Sequence, residues 1–192
     1  MLNKAKQKML EGRPAVGAEV NLGSTLSVEI IAPLGFDFVL VDNQHGNWVD
    51  QTSMLAFRNI VLGGSVPMAR VRKNDFGLIG RLLDNGSLGI VVPMVNNAEE
   101  AEQAVYATRY PPLGGRSSGA FGVGIHGPGY DEWAGEEIFL AVQIETAEGA
   151  RNTKEIMSVE GIDGCWIGPG DLSRYSGMDL TTREGRNLHH KT

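Results

Sequence analysis

Short apolar runs alternate with helix-like segments six times along this chain, and no two-residue hairpin turn separates any adjacent pair. Strands joined through helices run parallel, because an antiparallel partner needs only a tight turn and a parallel one needs a crossover. The pattern predicts strands over 15–21, 38–42, 66–71, 89–95, 139–144 and 164–167. Helices are expected over 27–32, 49–61, 76–83, 98–108 and 149–159, with a long irregular stretch over 109–135 rich in glycine and proline. Closure into a barrel is the first choice for such an order. A (β/α)8 barrel takes about 250 residues and eight units. These 192 residues supply six units and then a polar tail, 183–192, that reads as the start of another helix. The expectation is therefore an α/β fold of the TIM (β/α)8 type with about six βα units present, residues 1–192 forming one incomplete barrel domain.

Composition sharpens this where it departs from average. Glycine occurs 26 times, nearly twice its usual share, as many tight strand–loop–helix turns require. The net charge of −6 argues against a nucleic-acid partner, whose phosphates want a basic face. Residues 1–14 carry charges throughout and no apolar core, so they read as a short amphipathic helix ending near Gly12, neither signal peptide nor membrane span. Cys165 is the sole cysteine. No internal disulfide can form, a reducing cytoplasm is the expected location, and its apolar neighbours predict a buried structural thiol.

Four of the predicted strands end on chemically capable side chains. In Phe36–Asp50, FDFVLVDNQHGNWVD, an apolar run stops abruptly at Asp42, Asn43, Gln44 and His45. Asp42 and His45 stand three apart around a turn, where a carboxylate can orient an imidazole for acid/base work. The plainer alternative makes His45 a helix cap or a satisfied loop residue. Arg70 ends the third strand, either as a salt-bridge partner for one of the acids Glu145 and Asp171 or as a fork offered to a substrate oxygen that gains charge. Glu145 and Asp171 follow the fifth and sixth strands. They are either solvated loop acids or oxygen ligands sharing one divalent cation, magnesium or manganese before cobalt or zinc. The turn Gly168–Ser173, GPGDLS, frees backbone N–H groups suited to a carboxylate or phosphate. His126, His189 and His190 lack ligand-like neighbours in sequence and read as surface residues.

The segments DFVLVDNQHG, VPMARV, LLDNGSLGIVVPMVNNAEEAEQAV, ATRYPPLGGRSSG, VQIETAEGARN and GIDGCWIGPGDLS together resemble the HpcH/HpaI family of metal-dependent 2-oxo-acid aldolases. The likeness runs from about Ala15 to Gly177, and RYPPxGxRSxG with GPxDLS makes it specific. It implies a (β/α)8 barrel in a homo-oligomer, hexameric in the family, acting on a 2-oxo acid and an aldehyde. By motif, Glu145 and Asp171 match the metal ligands, His45 the catalytic base, Asp42 its orienting partner, and Arg70 the residue contacting the pyruvate carbonyl. Gln143 matches a polar residue of the pocket, and Gly170, Asp171 and Leu172 the stretch that holds the pyruvate carboxylate. Asp84 matches an acid that reaches a neighbouring subunit's site. Gln44 stands where many members carry Glu, and the last two βα units have no counterpart here. A truncated gene product, weak or inactive and acting as an oligomer-forming or binding protein, is the alternative expectation. A CoA-thioester lyase of the wider superfamily is a third, less favoured by Asp42–His45 and RYPPLGGRSSG.

Overall fold

The computed structural model describes residues 2–179 and 181–192, with the side chains of 188–191 left aside. Six strands, β1 (Gly17–Val20), β2 (Phe38–Asp42), β3 (Val66–Arg70), β4 (Gly89–Val92), β5 (Phe139–Ile144) and β6 (Gly164–Ile167), lie side by side in chain order. Each pairs in parallel with the next. Nearest-neighbour order without reversal is the order of a barrel, whereas a doubly wound sheet reverses at its switch point. The six strands form a curled half-barrel, with β1 and β6 as edges among the described residues.

Helices α2 (Thr25–Ile31), α3 (Asp50–Leu62), α4 (Phe76–Asp84), α5 (Ala98–Thr108), α6 (Tyr130–Glu137) and α7 (Ala147–Met157) make the crossovers; α8 (Pro169–Ser176) and α9 (Arg183–Lys191) follow β6. Side-chain caps start several of them. Ser24, Asp75, Asn97 and Thr146 each accept a backbone N–H three residues on, satisfying donors that the first turn leaves orphaned. Their apolar sides, such as Ala56, Phe57 and Ile60 of α3, are fully buried in one contiguous core with Val39 and Val41 of β2. Helix α1 (Lys4–Leu10) is tied to the start of the barrel strands: Asn3 Nδ2 donates to the carbonyls of Leu88 and Glu137, both at 2.9 Å, and Lys6 pairs with Asp163.

Strand periodicity places the site. Residues i and i+2 share a face, so the concave face reads Phe38, Leu40, Asp42 on β2, Met68, Arg70 on β3, and Phe139, Ala141, Gln143 on β5. Its lower part is apolar: Phe38, Leu40, Met68, Val91, Ala141 and Trp166 line one cavity of about 450 Å³. At the carboxyl tips the same face turns polar.

Three expectations need correcting. The stretch over 109–135 is not irregular throughout: it holds a 3-10 helix, Gly122–His126, and the start of α6. Glycine and proline hid both, since Gly129, in left-handed conformation at φ 74°, is itself the cap of α6. Cys165 is exposed, not buried, because β6 is an edge strand with nothing beyond it among the described residues. His126 is half-buried: its Nε2 lies 2.8 Å from the Gly86 carbonyl oxygen and its ring stacks on Tyr130. The side chains of His189 and His190 lie outside the described residues.

Candidate active site

Asp42 and Arg70 are register partners at the tips of β2 and β3. Asp42 is fully buried, and its two carboxylate oxygens accept Nε and Nη2 of Arg70 at 2.8 and 2.7 Å. Burial pushes the Asp42 carboxyl up, but the Arg70 bonds and charge, with the N–H groups of Gln44 and His45, outweigh it and hold it below its ordinary value. Burial likewise pushes the guanidinium down, and Asp42, Glu19 and Glu145 together carry it above its usual range. Glu19 of β1 approaches Arg70 to 3.5 Å, and the Trp166 ring lies 5.6 Å below the guanidinium carbon. Arg70 therefore does not pair with Glu145 or Asp171, as one reading of the sequence had it; its direct partner is Asp42, and Nη1 takes no part in these bonds.

His45 sits on the exposed rim, its backbone N–H 3.4 Å from Asp42 Oδ1. The expected contact between carboxylate and imidazole is not made. Asp42 has already spent both oxygens on Arg70 and closes the 42–46 turn through main-chain donors.

Glu145 follows β5 with 3% of its surface exposed. Oε1 accepts the Met94 N–H at 2.9 Å and Oε2 accepts Gln143 Nε2 at 2.7 Å. Burial raises its carboxyl above the ordinary value; the Met94 N–H pulls it down, Asp171 raises it further, and Arg70 and His45 lower it. Glu145 thus lies within the fields of all three. Asp171 stands in the first turn of α8. Gly168, the cap of that helix, has no room for a side chain: a Cβ would come within 2.7 Å of Glu145 Oε2 and 2.8 Å of Gln143 Nε2. The N–H groups of Gly170 and Asp171 belong to the first turn, which the helix cannot pair. Leu172, expected beside them, donates its N–H to the Gly168 carbonyl at 2.9 Å and buries its side chain completely. Asp84 is at the far end of α4, held by Arg116 at 2.9 Å; the structure does not bring it to the strand tips.

The donor set fits a hard divalent cation. Two carboxylates act on each other here with no cationic side chain among the described residues bonded directly to either, and Gln143 Oε1 is a buried oxygen with no hydrogen-bond partner. All these donors are oxygens, the preference of magnesium and manganese. Among the described residues no cluster of three or more His, Cys, Asp or Glu forms; a cation held by Glu145 and Asp171 would take its remaining ligands from water or a substrate oxygen. Met94 and Trp166 belong to the site without having been singled out in the sequence. A backbone N–H leaves no trace in residue identity, and Trp166 reads simply as an apolar strand residue.

Comparison with known proteins bears on the family and the fold. The family model described as HpcH/HpaI aldolase/citrate lyase matches residues 20–189. The 4-hydroxy-2-oxo-heptane-1,7-dioate aldolase of Escherichia coli is 40% identical over 181 residues, covering 92% of this chain and 69% of the aldolase. Among solved structures, an HpcH/HpaI aldolase from Desulfitobacterium hafniense superposes with a TM-score of 0.88 at 30% identity, over 97% of this chain and 74% of that one. An HpcH/HpaI aldolase/citrate lyase family protein from Burkholderia cenocepacia gives 0.91 at 25% identity, over 98% and 78%.

Proposed function

The chain belongs to the HpcH/HpaI aldolase/citrate lyase family, and on that premise we propose that it is a divalent-metal-dependent aldolase. It would make or break the carbon–carbon bond between a pyruvate unit and an aldehyde. The observation that carries this reading is Glu145: a buried carboxylate at a strand tip, held by the Met94 N–H and Gln143 and closely approached by Gly168 at the start of α8, the helix that carries Asp171.

Glu145 and Asp171 would hold the cation, which when bound supplies a Lewis acid for the 2-oxo group. The Gly170 and Asp171 N–H groups orient the substrate carboxylate, and Gln143 Oε1, a buried acceptor with no hydrogen-bond partner, is suited to the cation or its water and not to that carboxylate. Arg70, clamped by Asp42 so that its plane cannot swing, presents Nη1 to the keto oxygen, where negative charge gathers as the bond breaks. His45 on the rim takes the proton from the 4-hydroxyl during cleavage and returns it during addition. The pair released on cleavage stays with the pyruvate carbon and is protonated there, so the same path serves both directions.

Retro-aldol cleavage of a 4-hydroxy-2-oxo acid, followed with magnesium or manganese and again after chelation, tests the proposal. Activity should vanish on chelation and in Glu145→Ala. His45→Ala should lose about 100-fold or more in cleavage rate with pyruvate affinity nearly kept. Turnover that survives chelation would contradict it. The open concave face favours a second reading, a family member that binds without turnover; retention of metal-dependent pyruvate binding with no cleavage would select that one.

A further inference from the structure

Among the described residues Met94 is the one non-glycine residue with positive φ, at 59°. Left-handed backbone brings Cβ against the following carbonyl oxygen, a cost glycine escapes. Such conformations persist only where the surroundings over-determine them, and here they do. Pro93, after β4, has no N–H to offer. The turn at Met94 sends its own N–H to Glu145 Oε1 at 2.9 Å, while its carbonyl accepts Asn96 Nδ2 at 2.8 Å. The Val95 N–H donates to the Gln143 carbonyl at 3.3 Å. Asn96 is gripped from the β5 side as well: Thr146 Oγ1 donates to its Oδ1, and Asn152 Nδ2 to its carbonyl at 2.8 Å. Its own N–H reaches Glu100 at 2.7 Å. The connection after β4 is thus fastened along its length to the connection after β5.

We propose that Met94 is a positioning residue: its left-handed backbone is retained because it aims an N–H at Oε1 and fixes the plane of the Glu145 carboxylate. With Gln143 Nε2 on Oε2, both oxygens are held, and the plane of the carboxylate is set before any cation arrives. The inference rests on the assignment of Glu145 as a cation ligand. It extends that assignment to a residue whose side chain contributes nothing to the chemistry.

Two readouts test it, and neither is turnover. In amide proton–nitrogen spectra of the metal-free chain, Glu145→Gln removes the charge that the Met94 N–H faces. The residue-94 amide should shift further than amides elsewhere in β4 and α5. Calorimetric titration with manganese alone then compares variants. Met94→Gly, which adopts positive φ freely, should stay within about threefold of the parent affinity, whereas Met94→Val, whose β-branch resists that region, should weaken it about tenfold or more. Met94→Ala should fall between and covers the case of a valine variant that does not fold. A purely structural role would lower the melting temperature of Met94→Val and leave manganese affinity of the folded protein unchanged; that result overturns the inference. A residue-94 amide indifferent to Glu145→Gln overturns it too. A parent protein that binds no manganese would refute the cation assignment alone, and the amide shift would still decide whether Met94 orients the carboxylate.

Discussion

Asp42 and Arg70 show how the site is held at the level of single residues. Each is buried, and each is the other's main partner. A buried pair of this kind adds little net stability, yet removing one member strands the other, at a cost of about 3–5 kcal/mol. Asp42→Ala should therefore destabilise the fold by that amount in urea titration, more than the double variant with Arg70→Met. A double variant that costs as much as the two single variants added together would show that the pair is not coupled. The acid limb of stability follows from the same contact. Because the native Asp42 carboxyl lies below its unfolded value of about 4, its contribution is complete above that pH and disappears as pH falls through the native value. At this scale the sequence was informative wherever a polar residue interrupted an apolar run, as Asp42, Arg70 and Glu145 do. It was silent on which partner each would choose. Asp42 and His45 are close in the chain, but the register of β2 against β3 puts the Arg70 guanidinium across from Asp42 and leaves the imidazole on the rim.

Elements carry their own signals. Asn97 opens the helix expected over 98–108, and Asn97→Ala should cost about 1 kcal/mol in thermal or chemical denaturation, since its side chain accepts the Glu100 N–H at 2.9 Å; the cap Thr146 lies ahead of the helix start expected at 149. An unchanged midpoint in Asn97→Ala would mean that its cap is redundant. The stretch over 109–135 was harder to read because its helices are short and framed by breakers, so no apolar period was long enough to register. Its anchor is His126, whose ring nitrogen meets the Gly86 carbonyl oxygen. Burial lowers the imidazole below its ordinary value, against the opposing effect of that bond. The sign is clear: the unfolded chain binds the proton more readily, so stability is complete above about pH 6.5 and declines as pH falls toward the native value. Melting temperature followed from pH 7.5 to 5 should drop less in His126→Asn than in the parent. An identical slope would assign the acid sensitivity elsewhere.

For the whole molecule, strand order was legible because six alternations without hairpin signals leave few topologies, and the paired register confirms it. What could not be read was the exposure of β6. Cys165 looked like a core residue by its neighbours, but burial depends on whether something lies beyond β6. A thiol reagent should alkylate Cys165 in the native chain. A thiol that reacts only after denaturant is added would show β6 covered in solution, as a homo-oligomer would do. The polar tips are held by one another: Asp42 by Arg70, and Glu145 by Gln143 and the Met94 N–H. The central claim is that these tips gather a cation and a 2-oxo acid, and calorimetric titration of pyruvate with and without manganese tests it most directly. Pyruvate should bind only when manganese is present and not at all in Glu145→Ala. Equal binding of pyruvate in the absence of metal, or undiminished binding in Glu145→Ala, would contradict the claim.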